Sequence, residues 1–168
     1  ALFDPSSATA NFGDLYAYHV PLQHLAASRL AAGQLPFWNP YILVGVPHMS
    51  DPQTMLFYPP AALLRLFGSA WAFTVLSLAH TALAAWGAQH LARRLGAAPS
   101  AAAALGAAYA LSPFVAGRIP QGVPTLLFAL AWGPWCWLAL LERRAWLLAG
   151  TWALQGLSGH PQFAALNA

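Results

Sequence analysis

Leu66–Ala92 reads LFGSAWAFTVLSLAHTALAAWGAQHLA and contains no Asp, Glu, Lys or Arg. A helix needs ~20 predominantly apolar residues to cross a ~30 Å hydrocarbon core, and this stretch exceeds that. The same absence of charge recurs between Arg94 and Arg118, between Arg118 and Glu142, and from Ala145 onward. Four such stretches, separated by short charged joints, predict an all-α polytopic transmembrane helix bundle. The expected spans lie near 69–92, 99–117, 122–141 and 145–160. The Ala-rich stretch Ser100–Gly117 gains little transfer energy alone and is expected to insert as part of the bundle. Composition agrees. Charged residues make up 7% of the chain, against roughly 25% in a soluble domain. Four acids, seven arginines and no lysine cannot cover a soluble surface.

Local punctuation supports these limits. Ser69 is the expected N-cap of the first span and Gly96 its stop. Pro99 opens the second span at its first turn, where a missing N–H costs nothing. Ser112-Pro113 ends or kinks that span, and Pro120 and Pro124 bracket the next turn. Gly133-Pro134 is expected to kink the third span. The pairs Arg93-Arg94 and Arg143-Arg144 join spans one to two and three to four. The positive-inside rule makes both cytoplasmic. Residues 1–65, the turn from Arg118 to Pro124 and the region of His160 then share the outer face. The chain begins at Ala1 without methionine and shows no signal peptide. It reads as an internal fragment, with a preceding anchor or first span expected.

Residues 1–65 differ in kind and are expected to form an external loop with juxtamembrane helices, ahead of the helical region 66–168. They hold Asp4, Asp14 and Asp51, the histidines His19, His24 and His48, and eight of the fourteen prolines. Pro21–Ala32 reads as a short interfacial helix with Leu22, Leu25, Ala26 and Leu30 on one face. Gly33 is its natural stop. Gln34–Pro60 is rich in Pro, Gly and aromatics without a sustained period, and long loops of that kind are usually functional.

Four groups of residues carry candidate chemistry. Asp14 precedes a helical segment and suits an N-cap. Alternatively, a carboxylate partly buried under apolar loops holds a proton more readily and can act as a general base. Trp38, Asn39 and Tyr41, followed by Gly45-Val46-Pro47-His48, form a rigid interfacial loop in which Trp38 could contact lipid or stack on sugar. Asp51-Pro52-Gln53 leads to Tyr58-Pro59-Pro60, with Asp51 suited to an Asx-turn. Arg118 either anchors a helix end or binds phosphate. His160 and Gln162 form a polar cluster near the outer end of the fourth span. His80, the main mid-span polar residue, is expected to bond a neighbouring helix. A divalent metal could be held by His19, His48, Asp14 or Asp51 if folding gathers them. No other cofactor is indicated. Cys136, the single cysteine, excludes an internal disulfide and a cysteine zinc site and reads as a packed helix residue. No basic stripe with interleaved aromatics points to nucleic acid. Phosphate loops, dinucleotide fingerprints and nucleophile elbows are missing.

Taken in order, Gly13-Asp14-Leu15, Leu35-Pro36-Phe37-Trp38-Asn39-Pro40, Gly45-Val46-Pro47, Asp51-Pro52-Gln53, Phe57-Tyr58-Pro59-Pro60 and Gly159-His160-Pro161-Gln162 resemble the bacterial YfhO-type membrane proteins, within the GT-C glycosyltransferase superfamily. The resemblance implies a GT-C-like fold in the bacterial cytoplasmic membrane. It implies sugar transfer from a polyprenyl-phosphate donor to a glycan, lipid or protein acceptor, at the outer boundary of the bilayer. Asp14 matches the catalytic acid of the first external loop. Arg118 would offset the leaving phosphate's charge. His160, Gln162 and Gln53 would bind sugar or phosphate, with Asp51, His48, Trp38, Asn39, Tyr58 and His19 also lining the site. The rival expectations are a transporter or flippase of lipid-linked sugars and a non-catalytic membrane assembly protein.

Overall fold

A computed structural model describes residues 13–67 and 70–167. A π-helical turn, Leu15–His19, runs into α1 (Val20–Ala31). Leu22, Gln23, Leu25 and Ala26 are buried on α1, while Leu30 is exposed. The helix stops at Gly33, whose N–H donates to the Leu30 carbonyl, and the Gln34 N–H donates to that of Arg29. A two-stranded antiparallel hairpin follows, β1 (Trp38–Asn39) and β2 (Val46–Pro47), with Trp38 opposite Pro47 and Asn39 opposite Val46. Two 3-10 turns, Pro52–Thr54 and Pro59–Ala61, lead to α2 (Ala62–Phe67). The segment expected to be irregular is therefore folded. Prolines at the start of each turn supply a preset φ and lose no helical bond.

The remaining helices are α3 (Ala70–Arg94), α4 (Pro99–Ala110), α5 (Pro113–Gln121), α6 (Pro124–Leu141), α7 (Ala145–Leu157) and α8 (Pro161–Leu166). Among the described residues, three stretches are long and apolar enough to cross a membrane: Trp71–Arg94, Pro99–Ile119 and Pro124–Leu141. The chain has the character of a helical membrane protein. Ser69 lies outside the described residues. Gly96 does stop α3, with its N–H donating to the Arg93 carbonyl and the Ala97 N–H to that of Ala92. Pro99 opens α4. Ser112 divides the second span into α4 and α5, and its side chain caps α5 by accepting from the Val115 N–H.

The fourth expected span takes a different form. Its helix, α7, has 13 residues, roughly 20 Å at 1.5 Å per residue, short of a ~30 Å core. The chain then reverses at Gly159, whose φ is +108°, a conformation that glycine adopts without the cost a side chain brings. α8 folds back along α7. Trp152 Nε1 donates to the Ala164 carbonyl at 2.6 Å and Asn167 Nδ2 to Gln155 Oε1 at 2.8 Å.

Pro134 sits inside α6 without ending it. Proline lacks the N–H that would bond the carbonyl four residues back, which here belongs to Leu130. Tyr109 Oη, from α4, donates to that carbonyl at 3.0 Å. Gln155, from α7, donates to the adjacent Ala129 carbonyl at 3.0 Å. Neighbouring helices thus satisfy the backbone that proline frees. Small residues let α3, α4 and α6 approach closely, with Ala84, Ala110 and Ala131 buried together.

The folded N-terminal segment plugs one end of the bundle. Met55, Tyr58, Ala61 and Leu64 pack with Ala72, Phe73 and Leu76 of α3, Val115 of α5, and Leu127 and Phe128 of α6. Arg65 fastens the plug by donating to Gln23 Oε1 at 3.2 Å, the Met55 carbonyl at 3.4 Å and the Leu56 carbonyl at 3.2 Å. At the opposite end Glu142 lies 3.9 Å from Arg94 Nε and 3.2 Å from Arg144 Nε. The two arginine pairs therefore share an end, as the charge pattern requires. Removing the guanidinium in Arg65→Met leaves the Gln23 amide oxygen and two carbonyls short of donors. We expect a stability loss of about 2 kcal/mol, measured by unfolding in mixed micelles.

Candidate functional site at the plugged end

The DPQ turn organises this end. Asp51 Oδ1 accepts the Gln53 N–H at 2.9 Å, the Asx geometry expected of it. Its other oxygen accepts the Tyr18 hydroxyl, tying the turn to the start of α1. Thr54 Oγ1 donates to the Asp51 carbonyl at 2.8 Å. Burial, and then the bond to Asp51, pushes the Tyr18 phenol well above its ordinary range. Tyr18 is thus a hydrogen-bond donor at neutral pH.

His19 follows Tyr18 and is 1% exposed. Neither of its ring nitrogens has a hydrogen-bond partner. Burial lowers its pKa to about 4, against the opposing pull of Asp14, and His160 lowers it further. Asp51 also favours its charged form. His160 receives the Gln162 amide at Nδ1 over 2.6 Å, which leaves the proton on Nε2. That Nε2 is buried and unpaired, and burial lowers the His160 pKa as well. The buried Thr125 Oγ1 is also unpaired. A Cβ on Gly159 would stand 2.8 Å from the Thr125 side chain and 3.3 Å from Met55. The turn between α7 and α8 is therefore clamped between α6 and the plug. The substitution Gly159→Ala meets both this contact and a disfavoured φ. We expect it to cost about 1–3 kcal/mol, read as a lowered thermal midpoint.

Arg118 opens on a neighbouring crevice of about 170 Å³, lined by Leu15, Thr74, Ser77, Thr81 and Leu127 among others. Its Nη1 donates to Gln121 Oε1 at 2.6 Å, and its guanidinium lies 4.6 Å from the Phe114 ring centre. A Cβ on Gly13 would fall 1.8 Å from the Gln121 carbonyl oxygen. Only glycine can stand there, and the contact brings the chain at Asp14 to the Arg118 turn. Asp14 itself is exposed and its side chain makes no capping bond. Neither the cap nor the partial burial expected of it is found. Of the segment ahead of His19, Leu15 lines the crevice.

The other expected site residues divide by burial. Gln53 gives its backbone N–H to Asp51 and is partly exposed beside it, while Gln162 is exposed next to His160. Trp38 is half exposed and lies over Gly45. Asn39 is buried and its Oδ1 accepts the Tyr41 N–H at 3.0 Å. His48 is buried in the hairpin with unpaired ring nitrogens, and burial lowers its pKa. Tyr58 is fully buried and belongs to the core rather than the surface. Its hydroxyl donates to His80 Nε2 at 2.5 Å and accepts from Trp132 Nε1 at 2.8 Å. His80 Nδ1 in turn donates to the Leu76 carbonyl at 2.7 Å. The hydrogen bond of His80 thus goes to the plug, and its contact with a neighbouring helix is the Phe128 ring at 4.3 Å. Cys136 is a buried free thiol 3.8 Å from Gln155 Oε1. Among the described residues, no group of three or more His, Cys, Asp or Glu side chains is placed to hold a metal ion.

Sequence reasoning did not single out Thr125, Tyr18 or Gln155. Tyr109 and Gln155 had a signal in Pro134, because a proline inside a span requires donors from its neighbours.

His19 sets a pH dependence. Its folded pKa of about 4 lies below the ordinary ~6.5, so the unfolded chain takes the proton first. Stability is constant above the unfolded value and falls as pH drops through the window down to about 4. The loss is about 3 kcal/mol at most. His19→Phe should reduce this slope in unfolding measured across pH, leaving the smaller contributions of the buried His48 and His160.

No family model, no curated protein and no solved structure matches the chain. The fold and the site together define a helical membrane protein with a polar, partly unpaired cluster at one end of its spans.

Proposed function

We propose that this chain is part of a GT-C-type membrane glycosyltransferase of the YfhO kind in a bacterial cytoplasmic membrane. It transfers sugar from a polyprenyl-phosphate donor to a cell-envelope acceptor at the outer boundary. On this reading the arginine-rich end is cytoplasmic and residues 1–65 are external. The acceptor hydroxyl gives its proton to the Asp14 carboxylate as its oxygen attacks the anomeric carbon. The bond from that carbon to the phosphate oxygen breaks, and the phosphate leaves with the electron pair. Arg118 offsets its charge. A single displacement inverts the anomeric centre.

The observation that carries the proposal is the contact of Gly13 with Gln121, which brings the chain at Asp14 to the turn of Arg118 and the crevice that Arg118 lines. His19 and His160, held neutral, suit hydroxyl groups better than phosphate. Arg118, with Thr74, Ser77 and Thr81 across the crevice, suits the phosphate.

The test is direct. Intact protein is reconstituted with a radiolabelled polyprenyl-phosphate sugar and a membrane extract as the acceptor source. Transfer of label to the acceptor is expected. Movement of the donor across the bilayer without transfer would instead identify a flippase, and neither result would point to an assembly role.

A further inference from the structure

Between the ends of α3 and α6, at the arginine-rich end of the bundle, lies a crevice of about 310 Å³. His90, Arg93, Arg94, Leu138 and Glu142 line it. Glu142 is the only acid after Asp51 in the chain, whereas Arg93, Arg94, Arg143 and Arg144 all fall at this end. Helix termini change this balance little. α3 and α6 finish here while α4 and α7 begin here, so their opposite partial charges offset one another. Four guanidiniums against one carboxylate leave a clear positive excess. Arg94 and Arg144 share Glu142, at 3.9 and 3.2 Å. Arg93 is exposed and has no ion pair or hydrogen bond among the described residues. Arginines at span ends set orientation wherever they stand. Orientation alone does not account for a concave site lined by two of them.

The crevice therefore suits an anion, and its depth says which. Arg94 closes the membrane-crossing stretch Trp71–Arg94, and Leu138 lies in the last turn of Pro124–Leu141. Both put the crevice at the level of the lipid phosphates. Its wall continues toward the hydrocarbon as an aromatic step. The His90 ring stacks on Trp135 with centres 6.0 Å apart and meets Trp86 edge-on at 5.4 Å. The two indoles lie 5.2 Å apart, and Trp86 is 55% exposed. A Cβ on Gly87 would stand 2.5 Å from Trp135 Nε1, so glycine is what lets α3 and α6 close to this distance. Indoles favour the boundary between headgroups and chains. A soluble anion would use the guanidiniums alone, whereas a phospholipid uses both the guanidiniums and the aromatic step.

We propose that this crevice binds the phosphodiester of an anionic phospholipid from the leaflet at the arginine-rich end. Arg93 and Arg94 hold the phosphate oxygens, which the guanidinium fork matches, and Trp86 lies against the upper part of the chains. Basic pockets between membrane helices hold acidic headgroups by this same chemistry. The positive excess selects an anionic lipid over a zwitterionic one, whose own ammonium already balances its phosphate. The proposal does not rest on the transfer reading, and its test measures no activity.

The full chain in detergent micelles is titrated separately with phosphatidylglycerol and phosphatidylcholine, and bound lipid is counted by native mass spectrometry. Binding of phosphatidylglycerol is expected to be several-fold tighter and to weaken with added salt. Arg93→Gln should weaken it about fivefold. Arg93→Lys, which keeps the charge and loses the fork, should fall between the two. Arg29→Gln removes the same charge at the plugged end and should leave binding unchanged. Equal binding of the two lipids, or no effect of either Arg93 variant, would overturn the proposal. An equal loss in Arg29→Gln and Arg93→Gln would reduce it to diffuse attraction by net charge and overturn it too. Displacement of the lipid by equimolar glycerophosphoglycerol would assign the crevice to a soluble phosphate instead.

Discussion

Tyr58→Ala is expected to lower the unfolding free energy by about 5 kcal/mol, enough to abolish the folded state of a marginal bundle. Two effects combine. Tyr58 is fully buried among Met55, Leu76 and Phe128, and removing an aromatic ring from such a site costs about 3–5 kcal/mol. Its hydroxyl also joins Trp132 to His80. Without it, His80 Nε2 and Trp132 Nε1 are left unpaired in an apolar core, at about 1–3 kcal/mol for each such group. Tyr58→Phe separates the two effects, because it keeps the ring and loses only the hydroxyl. The expected order is wild type, then Tyr58→Phe lower by about 2 kcal/mol, then Tyr58→Ala. Denaturation in mixed micelles, followed by circular dichroism, reads this order. Equal stabilities for the two variants would mean that the hydroxyl carries the whole effect and the ring none.

That residue also shows where sequence reasoning stops. Three of the spans, the C-terminal end of α3, the starts of α4 and α5, and the shared end of the arginine pairs were legible because each is a local consequence. Charge-free runs need no partner to be recognised, and Gly96, Pro99 and Ser112 act on their own turn of backbone. Tyr58 looked like a loop residue available to substrate. Its burial depends on His80 and Trp132, 22 and 74 residues away in sequence, and no periodicity reports such a pairing. The fourth span failed for a related reason. Absence of charge marks 145–168 as apolar, but the reversal at Gly159 is set by its fit against Thr125 and Met55. The site was legible in part. Motif order drew attention to Asp14, Asp51 and His160, while the exposure of Asp14 and the burial of His19 follow from how α1 seats on the bundle.

On the proposed transfer reading, Asp14→Asn is expected to reduce sugar transfer roughly 10²- to 10⁴-fold, the contribution of a general base, while leaving stability within about 0.5 kcal/mol. The second half of that statement makes the first informative. Asp14 is exposed and makes no capping bond, so the isosteric amide removes a proton acceptor and disturbs no contact. Asp51→Asn offers no such separation, because Asp51 accepts from both Tyr18 and Gln53. Its loss would loosen the turn along with any chemistry. The comparison is initial transfer rate in reconstituted vesicles, with thermal unfolding of each variant alongside. Unchanged transfer by Asp14→Asn would remove the assignment of the base. Exposure sharpens the requirement. On the proposed reading, the exposed Asp14 carboxylate meets the acceptor hydroxyl only once donor and acceptor cover it and exclude water. Transfer should therefore depend on the substrate's apolar portion as well as its sugar, and a water-soluble donor with the same sugar and phosphate should react far more slowly. Equal rates for the two donors would mean that the base is already desolvated and lies elsewhere in the protein.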